Sequence, residues 1–167
     1  MCSKSTSRVR NISLDLVDLP GFTHDGRGVV AVALAVEYMR NPRSIILAVV
    51  SASADPDTQQ VLQLAEQYDP EGHRTLGILT KPDKTDKDTD LEISFIRMAK
   101  NEDVERKFLH GWHVLMNGAA HDGHRMVDLA TREQAERDFF ADKSGRWCEV
   151  PRAVASDPSV CVFARYY

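Results

Sequence analysis

Two short apolar runs, SIILAVVSA over 44–52 and TLGILT over 75–80, constrain the fold of this chain more than any other feature. Continuous runs of this length are expected for strands buried on both faces, the pattern of a sheet with helices on either side. Between them lies DTQQVLQLAEQY, with apolar Val61, Leu62, Leu64 and Ala65 and with Asp55 or Asp57 placed to cap a helix. The same alternation extends both ways. VRNISLDLVD (9–18) alternates apolar and polar residues and reads as a strand, and VVAVALAVEYMRN (29–41) reads as a helix. LEISFIRMAKNEDVERKFL (91–109) reads as a helix broken near Asn101, WHVLMN (112–117) as a short strand, and TREQAERDFFAD (131–142) as a last helix. A β-α-β-α-β-α-β-α order predicts an α/β fold, a mostly parallel sheet with flanking helices. In such sheets ligands bind beyond the carboxyl ends of the strands. The loops 18–21, 51–55, 80–83 and 117–120 are therefore where function is expected.

Composition narrows the class. A length of 167 residues suits one domain with a real core, and a net charge of -4 argues against a nucleic-acid surface. Cys2, Cys148 and Cys161 are scattered and odd in number, which fits neither a disulfide framework nor a CxxC zinc site and points to a reducing, intracellular location. MCSKSTSRVR has no apolar core of a signal peptide, and no run reaches the roughly 20 apolar residues that span a bilayer.

Two of the strand-end loops carry recognisable chemistry. In DLPG (18–21), Asp18 can hold Mg²⁺ through water, and Gly21 lets the main chain donate an N–H to a phosphate oxygen. Alone, the pattern is also an ordinary strand-ending turn. In TKPD (80–83), the Asp83 carboxylate can accept from the N1–H and the exocyclic amine of guanine, a donor pair that adenine lacks. The aliphatic stem of Lys81 can cover the purine face, and Thr80 can brace the loop. Asp83 lies 65 positions after Asp18, room for two β-α units, and the two motifs together point to a guanine-nucleotide domain. Other clusters carry less. His110, His113, His121 and His124 form HxxH twice and could bind zinc, but they also read as turn-flanking pairs around a strand. His24 and Asp25, after DLPG, and Cys148 beside Trp147 suggest no catalytic role, and the acidic run DKTDKDTD reads as a solvated loop.

SLDLVDLPGF, SIILAVVSASAD, DPEGHRTLGILTKPD and the following DKDTD resemble the large GTPases of the dynamin superfamily, especially its fungal members. The resemblance divides the chain into a polar leader (1–8), a partial dynamin-type G domain (9–153) and a divergent tail (154–167). It implies Mg²⁺ with GTP or GDP as ligands, Asp18 and Gly21 near magnesium and phosphate, and Thr80, Lys81 and Asp83 on the guanine. It places Asp86 on a loop that addresses the base of a dimer partner, and Asn117 beside the base, although Gly118 stands where the family has a basic residue. It also implies pairing of G domains, with itself or an intact relative. Cytoplasmic action on membranes and contact with microtubules belong to the family too, although the chain shows no membrane-binding region.

A GTPase of this kind needs a P-loop, GxxxxGK[ST], well before DLPG. Only 17 residues precede Asp18, and the GHRTLG spacing of Gly72 and Gly77 is followed by Ile78 and Leu79 rather than Lys and Ser or Thr. The switch threonine is missing in the same way, since Thr6 and Thr23 are wrongly placed. Each charge-assisted hydrogen bond is worth about 1.5–3 kcal/mol, so losing three or more removes roughly 5 kcal/mol and about 10³–10⁴-fold in affinity. The expectation is a G-domain fragment that recognises the base and grips phosphate poorly, with no catalytic residue to name. Without the P-loop strand and helix, the edge of the first strand and a face of helix 29–41 should lie bare.

Overall fold

Apolar patterning of two different kinds builds two compact units, Met1–Ser44 and Ile45–Tyr167, in the computed structural model. The structure describes residues 3–9, 12–22, 26–116, 121–122 and 125–150.

In the first unit, β1 (Ser3–Val9) and β2 (Ile12–Asp18) pair antiparallel, with Val9 opposite Ile12 and Ser3 opposite Asp18. This differs from the sequence reading in two ways. Residues 3–8, read as a polar leader, are strand. The strand read over 9–18 pairs with them in a hairpin rather than joining the parallel sheet. A strand as polar as SKSTSRV has no apolar period of its own, and its backbone pairing with β2 decides its conformation. One edge of β2 is therefore covered, contrary to the bare edge expected. Helix α1 (Gly26–Met39) follows. Gly28, Ala31, Ala35 and Met39 are buried along one face at helical spacing, whereas Val29 and Val30 remain 71% and 60% exposed.

The second unit is the α/β body. β3 (Ile46–Ser51), β4 (Thr75–Thr80) and β5 (Trp112–Leu115) form a parallel sheet in the order β3-β4-β5. Helix α2 (Gln60–Tyr68) links the first two strands and α3 (Asp90–Ala99) the next two. β6 (His121–Asp122) and β7 (Arg125–Met126) make a short antiparallel pair before α4 (Leu129–Ala141). β4 is central and deeply buried, as its apolar run predicts. β3 is not covered on both faces: Ile46, Ala48 and Val50 are buried, but Val49 is 43% exposed. It is an outer strand of the sheet, where only one face finds helix cover.

Local chemistry sets the element ends. Asp55 caps a 3-10 turn, Pro56–Thr58, by accepting from the Asp57 N–H at 2.9 Å, and α2 starts only afterwards without a side-chain cap. The helix read through 109 stops at Ala99. Asn101 adopts φ 59°, and its side-chain amide pairs with both backbone groups of Phe108, at 2.9 and 3.1 Å. Asp69 closes α2 and opens β4: its carboxylate accepts from the N–H groups of His73 and Arg74 and from Thr75 Oγ1 at 2.6 Å. Burial opposes its charge, but the bonds from Thr75, Arg74 and His73 outweigh burial and hold the carboxyl below its ordinary range.

Gly77, half of the false P-loop, has a packing reason. A Cβ there would lie 2.3 Å from the Trp112 ring of the adjacent strand. The indole is buried, donates to the Arg106 carbonyl at 2.9 Å and packs on Phe108 with centroids 5.2 Å apart. A side chain at 77 and this tryptophan cannot coexist.

Candidate functional site

Parallel register places the carboxyl ends of the three strands of the second unit in one row, Ser51 beside Thr80 and Thr80 beside Leu115. The TKPD loop leaves from the central strand of that row. Thr80 Oγ1 donates to the Val50 carbonyl at 3.1 Å, and the Ala52 N–H donates to the Thr80 carbonyl at 2.9 Å. Thr80 thus ties the loop's root to β3.

The next residue turns the chain sharply. Lys81 is left-handed, φ 57° and ψ 44°, a conformation that costs an L-residue with a Cβ about 1–2 kcal/mol. The reversal lets Pro82 bury itself fully and start the 3-10 turn Pro82–Lys84. Thr85 then locks the far side, its buried hydroxyl donating to the Ala52 carbonyl at 3.1 Å. Anchored at both ends, the loop keeps the polar side chains of Lys81 and Asp83 on its solvent side. Asp83 meets Lys84 at 3.4 Å, a surface pair in which the lysine side chain is exposed and the aspartate side chain 26% exposed, of the sort worth about 0–1 kcal/mol. Asp86 is also exposed, and its carbonyl accepts from Thr89 Oγ1 at 2.8 Å. Thr89 caps α3 through the Glu92 N–H, while the buried Glu92 carboxylate accepts from the Asp88 N–H at 2.8 Å. The structure therefore brings Thr80, Lys81, Asp83 and Asp86 onto one firmly held loop.

The neighbouring loop after β3 is also braced. Gln59 accepts from the Ser51 N–H at 2.9 Å and donates to the carbonyls of Ser51 and Ala54. Neither Gln59 nor Thr85 was visible as a site residue in the sequence, because what each holds is main chain 8 and 33 positions away.

Asp18 and Gly21 belong to the first unit. Asp18 closes β2 and is half-buried. A Cβ built on Gly21 would meet nothing within 4 Å, and its φ lies outside the left-handed range. Among the described residues, neither packing nor backbone conformation requires a glycine there. Among the described residues no three His, Cys, Asp or Glu side chains gather to hold a metal by themselves. One carboxylate does fit Mg²⁺, which keeps several waters and takes the rest of its shell from substrate phosphates, so Asp18 suits an indirect role.

Asn117 and Gly118 lie outside the described residues, as do the tail 154–167, His24 and His124. His110 is occupied at the amino end of the sheet, its Nε2 2.9 Å from the His73 carbonyl. His113 sits on β5 with Nδ1 buried and unpartnered, and burial lowers its pKa against the opposing pull of Glu136.

Cavities of two sizes open in the second unit. A cleft of about 340 Å³ opens between α2 and residues 105–108, lined by Leu62, Glu66, Asp69, Arg106 and Phe108. Gly72, which precedes β4, and Pro56 and Asp57, which follow the loop after β3, also line it. A smaller cavity of about 100 Å³ adjoins TKPD, between Pro82, Asp83 and Thr85 on one side and Phe139, Asp142 and Trp147 on the other. It is below the roughly 300 Å³ of ordinary ligand pockets.

Similarity to known proteins extends over most of the chain. Residues 3–82 match the profile of the Dynamin family. The chain is 32% identical over 139 residues to Phragmoplastin DRP1A of Arabidopsis thaliana, covering 78% of this chain and 22% of that protein. It is 35% identical over 136 residues to the Interferon-induced GTP-binding protein Mx of Solea senegalensis, covering 77% and 21%. Dynamin-B of Dictyostelium discoideum is 43% identical over 91 residues, 47% of this chain and 9% of its own. The chain spans about a fifth of the length of the first two of these relatives.

Proposed function

The chain belongs to the dynamin superfamily, and we propose that it carries the guanine-reading part of a GTP-binding domain, in which Thr80, Lys81 and Asp83 meet the base. The observation that supports this most strongly is the backbone of Lys81. A lysine held left-handed on an exposed loop, between an anchored Thr80 and a buried Pro82, keeps a strained conformation that glycine would adopt without penalty. What only lysine adds is a long apolar stem ending in a cation. Lying over a purine, that stem shields one face, while the Asp83 carboxylate accepts from the guanine N1–H and 2-amino group. Asp86, farther along the same loop, addresses a second G domain paired with this one. In the first unit, taken by itself, Asp18 would hold a water of a hydrated Mg²⁺ and the Gly21 N–H would donate to a phosphate oxygen. The open space around Gly21 supports this, since among the described residues nothing calls for glycine. When bound, Mg²⁺ supplies charge neutralisation for the phosphates.

Hydrolysis is the activity that this family reading carries, and no catalytic residue is named within these residues. No GxxxxGK[ST] occurs among the 167 residues. As this polypeptide alone, the site is therefore weak for triphosphate, by roughly 10³–10⁴-fold relative to an intact pocket. A second reading is a non-catalytic G-domain remnant, or a truncated gene product, that acts only as an interaction module, for example by pairing with an intact relative.

Titration of the chain with a fluorescent GTP analogue and Mg²⁺, competed by GTP and by ATP, tests both. Weak, guanine-selective binding that Asp83→Ala abolishes is the expected result. A micromolar Kd would overturn the phosphate reasoning. No binding up to millimolar concentrations would leave the remnant. Equal competition by ATP, or an unaffected Asp83→Ala variant, would remove the guanine assignment.

A further inference from the structure

The loop that carries Asp83 turns left-handed at both of its ends. Among the described residues three non-glycine residues have positive φ: Lys81 at 57°, Asp88 at 59° and Asn101 at 59°. Lys81 stands between the anchored Thr80 and the buried Pro82, and the Asn101 side chain bonds both backbone groups of Phe108. Asp88 has a different support. Its backbone N–H donates to Glu92 Oε2 on α3 at 2.8 Å, and Glu92 is 2% exposed. The bond therefore points into the protein, although the Asp88 side chain lies at the surface, 3.2 Å from Arg146 Nε. An exposed ion pair of that kind contributes little. Aspartate visits the left-handed region more readily than most residues, but as a single residue fixed by local bonds.

Glu92 stands in the first turn of α3, which Thr89 caps by accepting from the Glu92 N–H at 3.2 Å. In a reciprocal capping pair the glutamate reaches back to the N–H of the capping residue itself. Here its carboxylate reaches one residue farther, to Asp88, and so binds the loop rather than the cap. Starting the helix does not require an acid to be buried, since Asp90 in the same turn is exposed. Thr89 adds a second tie, its Oγ1 donating to the Asp86 carbonyl at 2.8 Å. Glu92 also lines the small cavity beside TKPD, together with Pro82, Asp83 and Thr85. One buried side chain thus holds the far end of the loop and shares a cavity with the aspartate near its start.

We propose that Glu92 is a positioning residue: its buried carboxylate holds the left-handed turn at Asp88 and thereby fixes the loop 83–88 that presents Asp83 to guanine. The consequence for nucleotide rests on the guanine reading above; the hold on Asp88 does not. Glu92 touches no base and acts through the Asp88 N–H. Glutamine retains an accepting oxygen at the same reach, and alanine removes it while favouring the helix.

The test compares the wild type with Glu92→Ala and Glu92→Gln in two measurements. Amide hydrogen exchange is read at Asp88 relative to Leu79, a buried residue of the central strand that reports global opening. Relative exchange at Asp88 should accelerate about 10–100-fold in the alanine variant, the loss of one charge-assisted hydrogen bond, and stay within a few-fold of wild type in the glutamine variant. GTP affinity and the preference for GTP over ATP should both fall in the alanine variant and recover in the glutamine variant. If Glu92→Ala does not fold, Glu92→Asp, one methylene short of the Asp88 N–H, takes its place with the same expectations. Asp88 and Leu79 accelerating together, or Asp88 exchange within twofold of wild type, would overturn the proposal. So would faster exchange at Asp88 with an unchanged preference for GTP over ATP. A wild type that binds no guanine nucleotide would sink the guanine reading instead, and the exchange measurement would still decide whether Glu92 holds the turn at Asp88.

Discussion

Replacing Lys81 separates what its backbone requires from what its side chain does. At φ 57° and ψ 44° its Cβ crowds the following carbonyl, at about 1–2 kcal/mol. Lys81→Ala keeps the Cβ and therefore the strain, while removing the stem and the cation. Lys81→Gly removes all three, but glycine's freer unfolded state takes back about 0.4–1 kcal/mol. The glycine variant should thus be more stable than the alanine variant by roughly 0.5–1 kcal/mol. In a chain of this size that corresponds to a melting temperature about 1–4 °C higher. Without nucleotide, thermal melts followed by circular dichroism and urea titrations should both show the order Gly above Ala, with Lys close to Ala because the side chain is exposed. Both variants should lose guanine-nucleotide binding equally, having lost the same purine cover. If Lys81→Gly melts below Lys81→Ala, residue 81 is not left-handed in solution. The loop geometry that supports the guanine reading would then be wrong.

Gly77→Ala should cost about 3 kcal/mol or more and lower the melting temperature by roughly 6–12 °C, since the methyl displaces the Trp112 ring and its bond to the Arg106 carbonyl. In a Trp112→Val background the same methyl should cost little, which a double-mutant cycle would reveal. The Asp69 carboxyl is lowered in the fold, so its stabilisation is present above its ordinary pKa and is lost as pH falls through the lower folded value. Asp69→Asn should lose about 1–3 kcal/mol near neutrality and show a flatter acid limb in melts taken from pH 6 to pH 3. His113 is also lowered, but as a base: between its folded pKa and about 6.5 the unfolded chain binds the extra proton. Stability should therefore rise with pH through that window, and His113→Phe should flatten the rise.

The residues at the heart of the site could be named before any fold was known. Two unbroken apolar runs with a helical segment between them specify adjacent parallel strands, and a threonine, a lysine and an aspartate at the end of the second are the residues proposed to read the base. These are local facts: hydrophobic period, turn residues and side-chain chemistry all act within a few positions of one another. The break at Asn101 could be read for the same reason. Tertiary structure decided the rest, because the deciding partner was distant. The polar SKSTSRV became a strand only by pairing with β2. The both-sided burial inferred for SIILAVVSA failed at Val49 because β3 lies at the outside of its sheet, and order in a sheet has no local signature. Gly77 owes its identity to a tryptophan 35 residues on in the chain. The backbone twist at Lys81 is imposed by anchors at Val50 and Ala52, and the bond that the Met116 N–H donates to Glu136 exists only once α4 has folded back to the end of β5. Periodicity and residue chemistry are short-ranged and written along the chain, whereas close approach between distant segments is a property of the packed molecule alone.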